Sequence, residues 1–157
     1  MIRYVLDTSS LIVIGHYFPD RFPTFWQRFD EAISEGRIVS VREVRRELDT
    51  DATRTHLRAW LKAHAAMFRT PSQEEMRFVA QIFAVPHFRQ LVGQKQRLKG
   101  SPVADPFVIA GAAVHQATVI SEEEEKPNAA RIPNVCRHFS IPCHNLEWLM
   151  QIEGWVF

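Results

Sequence analysis

A chain of 157 residues, 46% of them hydrophobic, has the length and apolar share to bury one core, so residues 1–157 are read as a single domain. Nineteen Lys and Arg against eighteen Asp and Glu leave a net charge of +1, which excludes a protein that holds nucleic acid through bulk positive charge; any such site must be local. Apolar stretches such as 107–114 fall well short of the roughly 20 residues that span a bilayer. With Met1 leading straight into a strand pattern and only two cysteines, no membrane anchor or signal peptide, reduced thiols and a cytoplasmic setting are expected.

The opening run Ile2 to Leu6 is β-prone, and Asp7-Thr8-Ser9-Ser10 supplies N-cap residues before the apolar Leu11 to Ile14, which predicts strand, turn and helix. Phe25, Trp26, Phe29, Ala32 and Ile33 recur at helical spacing over 24–35, with Gly36 placed to end that helix. Ile38 to Val41 reads as a second strand, and Val44 and Leu48 then share one face of a helix that also carries Glu43 and Glu47. Leu57, Trp60, Leu61, His64 and Phe68 predict a helix over 53–68, and Ser72-Gln73-Glu74-Glu75 starts another, so the middle third reads as wholly helical. Pro86 interrupts the pattern, and 93–102 is polar, basic and glycine-containing, as a loop is. Asp105-Pro106 opens a helix apolar on most sides through His115. A third strand at Thr118 to Ser121, a helix over 128–139, a fourth strand at 141–144 and a closing helix over 145–152 complete the chain.

Short apolar strands separated by helical crossovers predict an α/β fold, a three-layer α/β/α sandwich with a short central parallel sheet. In such sheets the ligand crevice lies beyond the carboxyl ends of the strands. Acids fall at those places: Asp7 follows strand one, Glu47 lies on the helix after strand two, Asp105 opens the helix before strand three, and Glu122 to Glu125 follow strand three. Converging carboxylates repel one another unless a cation neutralises them, and Mg²⁺ or Mn²⁺ prefers such oxygen donors. Each acid also has a plainer use. Asp7 and Asp105 can cap helices, Glu43 and Glu47 can pair with Arg42, Arg45 and Arg46, and an acidic run can be a solvated loop.

Leu6-Asp7-Thr8-Ser9-Ser10-Leu11 resembles the opening of PIN-domain nucleases. Val39 to Leu48 resembles that family's strand and helix bearing a glutamate-leucine pair, which maps the acid to Glu47 rather than Glu43. Ala104 to Ala110 is similar to its third acidic motif, and Val119-Ile120-Ser121-Glu122-Glu123 to its fourth. The matches follow one order along nearly the whole chain, and 132–136 resembles a branch associated with toxin-antitoxin pairs. The fourth motif departs from the family in carrying glutamates, and Ser121 where threonine is common; spacing selects Glu123, with Glu122 as the alternative. The resemblance implies a PIN-like fold and a metal-dependent endoribonuclease, the toxin of a type II toxin-antitoxin pair. It implies Asp7, Glu47, Asp105 and Glu123 as catalytic metal ligands, with Thr8, Ser9 and Ser121 supporting them. Mg²⁺ or Mn²⁺ as cofactor, an RNA substrate, an antitoxin partner and a homodimer are implied likewise.

Arg42, Arg45, Arg46, Arg89, Lys95, Arg97 and Lys99 are candidates to meet an RNA backbone, or are a solvated basic surface. Trp26 and Trp60 are assigned to packing. Cys136, His138, Cys143 and His144 are zinc-ligand types but lack a paired C-x-x-C spacing. No glycine-rich phosphate loop, G-x-S-x-G or H-E-x-x-H pattern occurs, and Asp7-Thr8-Ser9 lacks the second aspartate of haloacid-dehalogenase-like phosphatases. The rival from another class is a catalytically inactive PIN-like module that binds RNA or protein.

Overall fold

Strands β1 (Tyr4–Leu6) and β2 (Ile38–Val41) are buried at every position, as strands covered by helices on both sheet faces must be. Between them run α1 (Thr8–Ile14) and α2 (Pro23–Ser34), and after β2 come α3 (Arg42–Thr50) and α4 (Thr55–Ala63). A third strand, β3 (Phe68–Arg69), precedes α5 (Gln73–Ala84), a 3₁₀ helix at Pro86–Leu91 and α6 (Asp105–His115). The remainder is β4 (Thr118–Ile120), α7 (Ile132–His138), β5 (Cys143–His144) and α8 (Leu146–Glu153). This computed structural model describes residues 1–50, 55–93 and 103–157. The predicted basic loop, with Lys95, Arg97 and Lys99, lies outside the described residues apart from Gly93.

The sheet order is β3-β2-β1-β4-β5, and every pairing is parallel. The chain therefore builds outward from β1 in one direction, then reverses to place β4 on the other flank of β1. That reversal creates a switch point at the carboxyl ends of β1 and β4, where Leu6 is in register with Ile120. The predicted α/β/α sandwich with a short parallel sheet is the observed architecture. Among the described residues no helix is long and apolar enough to cross a membrane.

Local chemistry sets several boundaries. Gly36, at φ +74°, ends the α2 turn in the left-handed region that glycine enters without a Cβ clash. Ser72 and Glu75 form a reciprocal capping box at the start of α5. Phe25, Trp26 and Phe29 of α2 are buried, and Phe29 stacks on Trp60 at 5.4 Å, so these aromatics pack.

Two expectations are corrected. The middle third is not wholly helical: α4 stops at Ala63, and Phe68–Arg69 pairs with Ser40 and Val41 as an edge strand. Phe68 fits helical spacing from His64, but its ring is buried beside the open edge of β2, and a two-residue strand has no period to read. The helix expected over 128–139 begins only at Ile132, because Asn128 takes φ +60° and Pro133 sits in the first turn, where a missing N–H costs nothing.

Candidate functional site

The switch point places Asp7 immediately after β1. Asp7 is only 2% exposed, and its backbone N–H is donated to the Ile120 carbonyl at 3.1 Å, which ties the two strand ends together. Its side chain caps α1: Oδ1 accepts the Ser10 N–H at 2.8 Å. The capping use and a second use coexist. Ser9 Oγ donates toward Oδ2 at 2.7 Å, and Ser121 Oγ, from just beyond β4, donates to the same oxygen at 2.6 Å. Burial pushes the Asp7 carboxyl above the ordinary aspartate range, and the hydrogen bonds from Ser121, Ser10 and Ser9 oppose that shift. A buried carboxylate with this many aimed donors is held in one orientation.

Glu47 reaches the same place from the middle of α3, one turn beyond the buried Val44. Thr8 Oγ1 donates to its Oε1 at 3.1 Å, linking the first turn of α1 to α3. Glu43, a turn earlier, is also buried, but it pairs with Arg42 at 3.2 Å and does not line the cleft. Asp105 occupies the first turn of α6. Ala104, not Asp105, is the N-cap, and no side chain caps this helix, so the plain capping use does not account for Asp105. Its pKa is pushed up to about 8, first by burial and then by the charges of Glu123, Glu47 and Asp7. Asp105 is thus close enough to Glu123, Glu47 and Asp7 to feel the charge of each.

The acidic run after β4 divides its members. Glu123 lines the cleft, its backbone N–H is donated to Ser121 Oγ at 3.1 Å, and its Oε2 accepts the Ile132 N–H at the start of α7 at 3.0 Å. Glu122 turns away: its Oε1 accepts the Leu146 N–H at 2.7 Å and so supports the first turn of α8. Glu125 pairs with Arg137 on the surface.

Asp7, Thr8, Ser9, Glu47, Asp105 and Glu123 thus line one cleft of about 290 Å³, closed on its apolar side by Ile12, Leu91, Val103 and Ala104. The donor set is carboxylate and hydroxyl oxygen, the chemistry of Mg²⁺ and Mn²⁺ rather than of zinc. Among the described residues no three acids, histidines or cysteines are drawn together tightly enough to hold a metal ion as they stand; the acids face one another across the cleft. Unneutralised carboxylates repel, and at Asp105 that repulsion adds to burial in raising the carboxyl's pKa.

Other candidates are placed elsewhere. Arg42 is paired with Glu43, Arg45 donates to Asp49 and to the Leu61 carbonyl, Arg46 is exposed, and none of these or Arg89 lines the acidic cleft. The four zinc-ligand types do not form one set: the His138 ring meets Phe88 edge-on and His144 stacks on Trp148 at 4.0 Å, while the free thiols of Cys136 and Cys143 hydrogen-bond to each other. The sequence reading missed Ser10, whose Oγ donates to the Asp7 carbonyl at 2.9 Å while its N–H meets the carboxylate. Its position three residues after an N-cap aspartate was the available signal. Leu91 carried no signal, because only the fold brings the 3₁₀ helix to the cleft.

The family described as a domain of unknown function (DUF4411) matches residues 4–157. No curated protein matches the chain. Among solved structures, a chain of DNA-bound VapBC from Salmonella typhimurium aligns with TM-score 0.52 and 17% identity, covering 92% of this chain and 98% of that one. A chain of VapBC2 from Rickettsia felis, bound to a DNA fragment from its promoter, aligns with TM-score 0.51 and 13% identity at the same coverage. At such identities the likeness concerns the fold, and the PIN-like fold implied by the sequence motifs is the fold found.

Proposed function

We propose that this chain, which belongs to the DUF4411 family, is a divalent-metal-dependent endoribonuclease and the toxin of a toxin-antitoxin pair. The observation that carries the reading is the meeting of Asp7, Glu47, Asp105 and Glu123 in one cleft at the switch point of a parallel sheet. The PIN-like fold shared with chains of two VapBC structures supports it, as does a donor set suited to a hard cation. That likeness also supports an antitoxin partner and a homodimer.

Asp7 and Asp105 would hold Mg²⁺ or Mn²⁺, with Glu47 and Glu123 completing the set directly or through water. When bound, the ion supplies charge neutralisation for the phosphoryl oxygens and a water acidified to act as nucleophile. The chain's own part is positional. Ser9, Ser10 and Ser121 fix the Asp7 carboxylate, Thr8 fixes Glu47, and the Ile132 N–H fixes Glu123. Burial and the charges of Glu123, Glu47 and Asp7 raise the Asp105 carboxyl to about 8, so a cation bound beside it would favour its ionised form. Ile12, Leu91 and Val103 form a low-dielectric wall that strengthens each of these interactions.

The test is cleavage of labelled RNAs by the purified chain with Mg²⁺ or Mn²⁺, beside EDTA and the Asp7→Asn and Asp105→Asn variants. Metal-dependent cutting that either substitution abolishes is the expected result. Equal inertness of all three proteins across several RNAs, with no divalent ion bound in calorimetry, would replace this reading with that of a noncatalytic binding module.

A further inference from the structure

Beside the acidic cleft lies a second pocket of opposite chemistry. It is an open groove of about 560 Å³, lined by His87, Phe88, Asn128, Ala129, Asn134, Arg137 and His138. The same two chain segments wall both sites. The 3₁₀ helix Pro86–Leu91 gives Leu91 to the acidic cleft and His87 and Phe88 to the groove; the segment after β4 gives Glu123 to the cleft and Asn128 and Ala129 to the groove. His87 lies four residues from Leu91 on that 3₁₀ helix, and Asn128 five residues from Glu123, so the groove lies within a few residues of the cleft along both segments.

The lining suits a nucleotide. Phe88, 6% exposed, is buried among His87, His138 and Phe139 and serves as the backing of the groove, and the exposed imidazole of His138 stands edge-on to it with centroids 5.0 Å apart. His87 adds a second exposed ring on the same 3₁₀ helix. Asn128 is held in the left-handed region at φ +60°, and its amide makes no hydrogen bond among the described residues, which leaves a donor and an acceptor for a base edge. Asn134 is structural: its amide donates to the Lys126 carbonyl at 2.7 Å and accepts the Lys126 N–H, pinning the loop that carries Asn128. Arg137 is the groove's cation. Its partner Glu125 is 2.9 Å away in a solvent-exposed pair, and pairs of that kind hold weakly, so a phosphate can take the guanidinium.

We propose that this groove binds a nucleotide of single-stranded RNA flanking the cleaved bond, with its base against the exposed rings of His87 and His138 and its phosphate on Arg137. This rests on the ribonuclease reading. Ring faces that accept any base, joined to one cation, are the elements by which single strands are held without pairing.

The test uses two readouts on the full chain. In EDTA, fluorescence anisotropy of a labelled single-stranded hexaribonucleotide is measured for wild type, His138→Ala, Arg137→Ala and His138→Phe. Roughly tenfold weaker binding by each alanine variant is expected, within the range for removing one stacking or phosphate contact, with His138→Phe close to wild type. With Mg²⁺ or Mn²⁺, the alanine variants should lose kcat/KM on the hexamer and not on a dinucleotide, which spans the cleft alone. Binding by both alanine variants within twofold of wild type overturns the subsite, even if wild type cuts RNA. Weakened binding in the variants, with a wild type that cuts nothing, keeps the subsite and removes the nuclease.

Discussion

Replacing Asp105 by asparagine should make the metal-free protein more stable, although the substitution removes a proposed ligand. The carboxyl's pKa moves from 3.8 to about 8 on folding, because burial and the charges of Glu123, Glu47 and Asp7 disfavour its ionised form. Below about pH 4 folded and unfolded chains both carry the proton, and the residue costs nothing. From about pH 4 to about pH 8 the unfolded chain ionises while the folded one retains its proton, so wild-type stability falls as pH rises; above that range the penalty is constant. At pH 7 the interval is about 3 pH units, an upper limit of about 4 kcal/mol. Asp105 is partly open to solvent, and screening there reduces the figure to about 2 kcal/mol. Asparagine matches the shape and carries no charge. In a chain of this size that corresponds to a rise in Tm of about 4–8 °C. Thermal unfolding in EDTA from pH 4.5 to 9 reads the effect: the wild-type and Asp105→Asn curves should lie closest at the acid end, separate progressively up to about pH 8 and run parallel beyond it. A variant that melts at or below wild type throughout would refute the repulsion argument. With Mg²⁺ or Mn²⁺ at about 100 times its Kd, wild type should regain about 2.7 kcal/mol and the variant less.

Two other substitutions separate holding the site from holding the fold. Glu123→Ala should abolish metal-dependent cleavage, whereas Glu122→Ala should keep it and lower Tm by a few degrees through the lost support of α8; the opposite assignment would show that the cleft geometry misidentifies the fourth acid. Ser121→Ala should weaken divalent-ion binding by about 10- to 100-fold, read by calorimetry, because Asp7 Oδ2 loses its shortest donor. Unchanged affinity in that variant would mean the serine serves only the fold.

Local physics alone determined a good part of this protein. Asp7 is legible as a cap because a strand ends one residue before it and an apolar helix begins after it, and Ser72 with Glu75 is legible because both partners lie within one turn. The period of Val44 and Leu48 on α3 and the apolar run on α6 are likewise short-range signals, and they carried Glu47 and Asp105 to the correct elements. What the tertiary structure alone decided involves partners far apart in the chain. Phe68–Arg69 is a strand because β2 presents an unpaired edge, not because two residues have a β pattern. Glu122 and Glu123 are neighbours of one residue type, and only the arrival of α7 and α8 sends one to the cleft and the other to a helix end. The pairing of Ser121 with Asp7 across 114 residues, the wall supplied by Leu91, and the groove of Phe88 and His138 arise from the reversal of sheet order at β1 and β4, a long-range event that no local period encodes.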